Sequence, residues 1–190
     1  MGTQPGQERV FAAVPIKGKA AQTLAAWSRM VQEHYLFRRW TYAEDMHITL
    51  QFFGDVDVEQ LPQLCTALQK TAAESQPFQL QLGPAGIFGN PLAPRVLWIG
   101  PEGDTDSLHH LQSGVQQVCI PLGFVPEQRP YHPHLTVARK YNGNEPFADL
   151  STDLYPSPDC WLVEEFVLYR TRLGHQPMYE VAGQFPLLGR

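Results

Sequence analysis

Met46–Phe53 reads Met-His-Ile-Thr-Leu-Gln-Phe-Phe. Successive side chains of an extended chain point to opposite faces. Ile48, Leu50 and Phe52 therefore fall on one side, and His47, Thr49 and Gln51 on the other. Pro133–Lys140 repeats the pattern, with Leu135 and Val137 one way and His134 and Thr136 the other. Two such strands must each bury an aliphatic face while keeping an imidazole and a hydroxyl accessible, which restricts how the chain can close. Seven His and ten Thr in 190 residues give roughly 0.4 His-x-Thr triplets by chance, so the pair gains its meaning from the order of the elements around it.

Arg9–Val14 is a strand closed by Pro15. From Lys17 to about Tyr35, Leu24, Trp27, Val31 and Tyr35 recur at steps of three and four, the stripe of an amphipathic helix. Arg38-Arg39-Trp40 leads into the first His-x-Thr strand, which Gly54-Asp55 is expected to stop. A second helix starts near Glu59 with Pro62 in its first turn, and its stripe is Leu61, Leu64, Cys65 and Leu68. Phe78–Leu82 is a short strand, and Gly83–Pro94, dense in Gly and Pro, reads as a loop. Arg95–Gly100 is a buried strand closed by Pro101. Asp104 or Asp106 caps a third helix, with stripe Leu108, Leu111, Val115, Val118 and Leu122. After the second His-x-Thr strand, Tyr141–Trp161 is long and Asn/Asp/Pro-rich, the form of a loop covering a site. Leu162–Arg170 and Met178–Phe185 read as a closing pair of strands.

The two halves line up. In each, a strand ending in Pro precedes an amphipathic helix, which precedes a His-x-Thr strand. Pro15 and Pro101 are 86 positions apart, His47 and His134 87. That agreement reads as an internal duplication of a β-α-β unit, giving one domain over residues 1–190 with two pseudo-symmetric lobes and terminal strands that can be swapped or shared. Facing copies set both His/Thr faces across a common cleft.

Composition bounds the function. Hydrophobic residues at 43% and charged residues at 17% describe an ordinary globular chain, and no apolar run approaches the ~20 residues of a membrane span. Residues 1–8 lack the form of a signal peptide, and Gly6 stands where a myristoylation motif needs Ser or Thr. Cys65, Cys119 and Cys160 read as buried reduced thiols, and the chain as a cytoplasmic protein without membrane partners. A net charge of −5 excludes a broad duplex-binding face but leaves recognition of a short terminus, where a few cations suffice.

Imidazole is the side chain that can serve as acid or base near neutral pH. Two imidazoles on opposite walls of a cleft suit an in-line displacement at phosphorus, one taking the proton of the attacking water and the other protonating the departing oxygen. Threonine hydroxyls two residues on along the same face can hold the non-bridging oxygens as charge develops. One imidazole must be neutral and the other protonated, which gives a bell-shaped pH profile and no need for a metal or cofactor. The two strands look alike, and residue chemistry leaves the choice of acid and base open.

His47-Ile48-Thr49-Leu50 and His134-Leu135-Thr136-Val137, in two symmetric halves, resemble the paired motifs of the two-histidine (2H) phosphoesterases. The nearest resemblance is to the RNA 2′,3′-cyclic phosphodiesterases, once named 2′-5′ RNA ligases. It extends through Phe-Phe-Gly-Asp-Val, Val-Leu-Trp-Ile-Gly and Pro-Tyr-His-Pro-His-Leu-Thr-Val-Ala-Arg. The resemblance implies a bilobal α+β, LigT-like fold with two antiparallel sheets facing across a central, water-filled cleft. It implies metal-free opening of a 2′,3′-cyclic phosphate end of RNA, or of a small nucleotide, to a 2′-phosphate by a monomer. His47 would be the proton donor to the 3′-oxygen, His134 the base on water, Thr49 and Thr136 the phosphate holders and Arg139 a substrate-binding cation. Strict alternation puts Arg139 on the face opposite His134, so a bulge or strand end must turn it. The alternatives are joining or cleaving 2′-5′ linkages, and a non-catalytic module that binds nucleotides or RNA ends.

Other candidates weigh less. Adjacent His109 and His110 diverge on a helix and cannot easily complete a metal site with His132 and His134. Arg38, Arg39, Arg129 and Lys140 flank the motif strands and read as solvated charges that could meet an RNA backbone. Phe53 and Tyr131 could stack on a base or pack in the core.

Overall fold

The computed structural model describes residues 5–148, 150 and 154–189. The strands are β1 (Gln7–Pro15), β2 (Phe37–Trp40), β3 (His47–Asp57), β4 (Phe78–Asn90), β5 (Ala93–Gly103), β6 (Leu135–Tyr141), β7 (Cys160–Val163), β8 (Glu165–Thr171) and β9 (Tyr179–Pro186). The helices are α1 (Gly18–Gln32), α2 (Leu61–Glu74) and α3 (Thr105–Cys119). No helix among the described residues is long and apolar enough to cross a membrane.

All nine strands join antiparallel in the order β7-β4-β5-β6-β3-β1-β8-β9, with β2 added to the side of β6. The order is symmetric about β3 and β6, which meet at a single pair, Ile48 with Leu135. Each of these residues follows its motif histidine by one position. The two expected sheets are thus wings of one sheet, hinged where the two motif strands touch. Ile48 and Leu135 are 0% exposed, and burying an aliphatic side chain of this size contributes about 1.5–3 kcal/mol, so the junction is held by the core.

One main core joins the helices to the sheet. Val10, Ala12 and Val14 of β1 enter it beside Leu24, Leu64, Leu68, Leu108 and Leu111 of the helices. The alternate residues Phe11 and Ala13 point to the other face and build a second cluster with Val167 and Tyr169. The period-2 pattern of β1 therefore serves two cores. α2 and α3 pack on each other, with α2 also against β9 and α3 against β3. Asp104 caps α3, its carboxylate accepting from the Ser107 backbone N–H at 3.0 Å.

Several expectations need correction. Gly83–Pro94 is not a loop. It forms the tip of a long β4–β5 hairpin with register shifts between Leu82 and Ala85 and at Phe88/Gly89. Gly and Pro mark bulges here instead of a break. Pro101 does not close β5, because β6 pairs only with Val96–Ile99, and past that reach a missing N–H costs β5 nothing on that side. Gly54 does not stop β3 either. At φ +80° it pairs with Val10 and the strand runs on to Asp57. Leu162–Arg170 is two strands, not one: β7 pairs with β4 in one wing and β8 with β1 in the other, so the chain crosses between wings near Glu164. The helix expected to reach Tyr35 ends at Gln32. Cys160 is exposed, whereas Cys119 is buried and its thiol is pushed up to about 12 by that burial.

The segment 142–159 is also not a cover over the cleft as far as it is described. Its buried Phe147 packs on Tyr35 and Phe37, and the Phe147 N–H donates to Leu92 O at 2.9 Å. The Trp27 indole donates to Leu154 O at 2.5 Å. Apolar anchors tie the segment to α1, β2 and the hairpin tip, away from the cleft. Residues 149 and 151–153 of this stretch, like residues 1–4 at the N-terminus, lie outside the described residues.

Candidate active site

The site begins with two local irregularities that alternate patterning does not foresee. In β3, Ala12 pairs with Gln51 and Ala13 with Thr49, which leaves Leu50 as an extra residue. In β6, Leu97 pairs with Ala138 and Trp98 with Thr136, which leaves Val137 extra. Both extra residues stand three positions after the motif histidine. A bulge of this kind puts two consecutive side chains on the core face and shifts everything beyond it. Leu50 and Gln51 are accordingly both buried, as are Val137 and Ala138.

The shift decides what stands five positions after each histidine. Phe52, expected on the apolar side, is 57% exposed and lines the cleft, while Gln51, expected on the polar side, is 6% exposed. Arg139, which strict alternation would turn away, lies on the cleft side with its Nη2 3.4 Å from Thr136 Oγ1. The carbonyl of the extra Val137 is not left unpaired, because it accepts from the Thr41 N–H at 2.9 Å.

His47, Thr49, His134, Thr136 and Arg139 all line one cleft of about 840 Å³. A second arm of about 1170 Å³ shares Thr49, Phe52, His134 and Arg139 with it and runs on past Gln112, Gln116 and the segment Val125–His132. The Tyr131 hydroxyl donates to Thr49 O at 3.0 Å and ties the two motif segments together at the floor.

Each imidazole is held the same way. His47 Nδ1 lies 2.7 Å from Asp45 O, and His134 Nδ1 lies 2.8 Å from His132 O. A backbone carbonyl can only accept, so Nδ1 carries the proton and the Nε2 edge is the one presented for chemistry. In both cases the anchoring carbonyl belongs to the residue two positions earlier. Sequence reading missed this pair of anchors, since a carbonyl has no side-chain signature.

The surroundings differ. The His47 ring packs among Phe11, Tyr169 and Tyr179 at centroid distances of 4.8, 5.6 and 5.2 Å, and its Nε2 is 3.1 Å from Thr49 Oγ1. Burial in this aromatic pocket pushes its pKa down to about 4, against the raising effect of the Asp45 carbonyl. His134 meets Phe88 edge-on at 4.9 Å and Trp98 at 6.4 Å. Burial lowers its pKa as well, with the nearby His132 and Arg139 adding to the effect. Gly86 makes this wall possible, because the Trp98 ring lies 2.3 Å from where a Cβ of residue 86 would sit.

Asp45 is a second missed residue. It is 4% exposed, and its carboxylate accepts from the backbone N–H groups of Met178 and Tyr179 at 2.9 and 3.0 Å. It thereby seats β9 and the Tyr179 ring against the imidazole that its own carbonyl anchors.

The remaining candidates separate. Phe53 packs on Phe124 in the core instead of facing the cleft. Arg129 pairs with Glu127 at 2.9 Å, and Arg38 bonds to Asn142 at 2.9 Å. His109 packs on Tyr131 and bonds to Thr105 O, while His132 lies between Phe88 and Trp98. Lys140 sits at φ +61° within β6 and lines neither arm of the cleft.

Two His/Thr strands joined at the waist of a two-winged sheet, with both imidazoles anchored toward one cleft, define a two-histidine phosphoesterase. A sequence profile of the 2′-5′ RNA ligase superfamily matches residues 17–175, and the chain belongs to that superfamily. A Geobacillus stearothermophilus protein named RNA 2′,3′-cyclic phosphodiesterase is 40% identical over 180 residues, covering 94% of this chain and 57% of its own length. The chain thus spans little more than half of that relative. A Bacillus subtilis protein of the same name is 34% identical over 151 residues, 80% of this chain and 81% of its own. Among solved structures, TT0787 of Thermus thermophilus matches with a TM-score of 0.79 at 26% identity, covering 96% of this chain and 99% of that one. E. coli LigT complexed with 3′-AMP shares the fold, with a TM-score of 0.77 at 23% identity over 95% of this chain and 98% of its own.

Proposed function

We propose that the protein opens 2′,3′-cyclic phosphate ends of RNA, or of small nucleotides, to 2′-phosphates, acting as a cytoplasmic monomer and without a metal. The observation that carries this reading is the pair of imidazoles anchored by backbone carbonyls on a shared cleft, each with a threonine two positions on. The activity named for the Geobacillus and Bacillus relatives supports it.

In this mechanism His134 takes a proton from water through Nε2, and the water oxygen forms a bond to phosphorus. The P–O3′ bond breaks, and His47 Nε2 gives its proton to the departing 3′-oxygen. The hydroxyls of Thr49 and Thr136 and the guanidinium of Arg139 hold the non-bridging oxygens, where charge gathers. A lowered pKa suits His134, which must be neutral to act as base. His47 in the free protein is neutral too, so its proton arrives with the anionic phosphate, whose charge favours the imidazolium. Phe52 offers an exposed aromatic face beside the reacting centre on which a base can stack.

The test is turnover of nucleoside 2′,3′-cyclic monophosphates by EDTA-treated protein, with the product read by phosphorus NMR. A 2′-phosphate is expected. A 3′-phosphate, or no opening of any cyclic phosphate, overturns the reading. Cleavage or joining of 2′-5′ linkages is a second reading, favoured by the room of the second arm for a nucleoside beyond the shared floor. Turnover of a 2′-5′ dinucleotide at a rate matching the cyclic substrate would select it.

A further inference from the structure

β2 places Arg39 directly opposite Arg139 of β6. Residues so opposed have Cα atoms about 5 Å apart, and like charges there repel. Nothing among the described residues neutralises this pair. Arg139 touches only the Thr136 hydroxyl, and the Arg39 side chain makes no hydrogen bond or ion pair. Both arginines line the arm of the cleft that holds the two histidines. The acidic residue of that lining, Asp45, is buried and committed to two backbone N–H groups. The arm is therefore an uncompensated cationic strip in a chain of net charge −5. Its rim also carries Tyr42 and Leu173, which are 44% and 55% exposed. The other arm shares Arg139 and carries Arg95 and the Glu127-paired Arg129, but no two of its arginines are opposed across a strand pair, and the amides of Gln51, Gln112, Gln116 and Gln128 fill out its lining.

Two opposed cations with no counter-charge on a cleft wall are a site for an anion. If Arg139 holds the reacting phosphate, a second cation on the neighbouring strand stands where the next phosphate along the chain passes. We propose that Arg39 is a subsite for the phosphodiester on the 5′ side of the terminal nucleotide. The substrate class is then an RNA 3′ end of at least two nucleotides, with a mononucleotide as a poorer version of it. This inference rests on the proposed function and narrows its substrate.

The test uses three substrates ending in a 2′,3′-cyclic phosphate: a mononucleotide, a dinucleotide, and the same dinucleotide with a neutral methylphosphonate in place of its phosphodiester. Wild-type kcat/KM is expected to be about tenfold higher for the ionic dinucleotide than for the methylphosphonate, with the difference mostly in KM. Arg39→Ala should erase that difference by lowering only the ionic substrate, and Arg39→Lys should restore most of it. The fall of kcat/KM with added salt for the ionic dinucleotide should be shallower in Arg39→Ala, because one screened charge contact is lost. Equal turnover of the two dinucleotides by the wild type, or an equal loss on all three substrates in Arg39→Ala, overturns the subsite while leaving the reaction standing. If no cyclic phosphate is opened, the proposed function fails, and titration of the matching 2′-phosphate-ended dinucleotides still reads the subsite. Tighter binding of the ionic form that Arg39→Ala abolishes supports it, and equal binding overturns it. Arg39 is exposed on a short strand beside β6, and matched melting curves establish that each variant is folded.

Discussion

The wall around His47 and the wall around His134 come from the same sequence pattern and end in different environments. Both imidazoles are anchored through Nδ1 by a carbonyl two residues back, and both strands bulge three residues on. Yet His47 is packed among three aromatic rings with its Nε2 against a hydroxyl, and its pKa falls to about 4. His134 stands against Phe88 and Trp98, with its threonine turned to Arg139. The position five residues after the histidine is an exposed aromatic ring on one wall, Phe52, and a guanidinium on the other, Arg139. The two motif strands present matching imidazoles, and their neighbours make them unequal. That is what a reaction with one proton donor and one proton acceptor requires.

The comparison can be broken most directly at the histidines. His47→Ala and His134→Ala are each expected to lower kcat on a cyclic mononucleotide by about 10²- to 10⁴-fold, the range for general acid–base groups. Steady-state turnover checks this, and a variant keeping a tenth of the wild-type rate would show that its wall is structural. The threonines come next. Thr49→Val and Thr136→Val should each cost about 10²-fold, the low end for losing a donor to developing charge. Thr49→Val should also move the limb of the pH–rate profile that reports His47, while Thr136→Val should not.

Acid stability gives a smaller effect that separates the two walls. A half-buried His47 with a pKa of about 4, against about 6.5 unfolded, binds its proton better in the unfolded chain. Its stability is therefore complete above pH 6.5 and is lost as the pH falls toward 4. Between pH 7 and pH 5 the loss should be about 2 kcal/mol, measured by urea unfolding. His47→Gln should remove most of this loss, and inorganic phosphate should reduce it by favouring the imidazolium. If His134→Gln removes it instead, the contrast between the walls is reversed. The smallest effect is Asp45→Asn, which sets an amide N–H against one of the backbone N–H groups of Met178 and Tyr179. It should cost about 1–2 kcal/mol of stability by denaturant melt and shift the His47 limb of the pH–rate profile, whereas an equivalent change at Glu44 should do neither.

Much of the site could be read along the chain because its signals are local. His47, Thr49, His134 and Thr136 stand at i and i+2, the one spacing that a strand keeps on a single face. Arg139 could be named only by resemblance, and Phe52 was placed on the wrong side, because strict alternation knows nothing of Leu50 and Val137 as extra residues. Asp45 carries no motif, and its role depends on the backbone of Met178 and Tyr179, more than a hundred residues away. Gly and Pro in Gly83–Pro94 were misread because a bulged hairpin and a loop use the same residues for the same backbone freedom.

The sequence by itself determined two amphipathic strands, the helices before them and the imidazoles and hydroxyls that share one face of each strand, since periodicity and side-chain chemistry are local properties. The tertiary structure alone decided that the strands meet at Ile48 and Leu135, that both bulge at the same step, and that one imidazole is enclosed more tightly than the other. Those outcomes depend on which distant backbones pair and which rings are left to fill the space, and no window along the chain contains them.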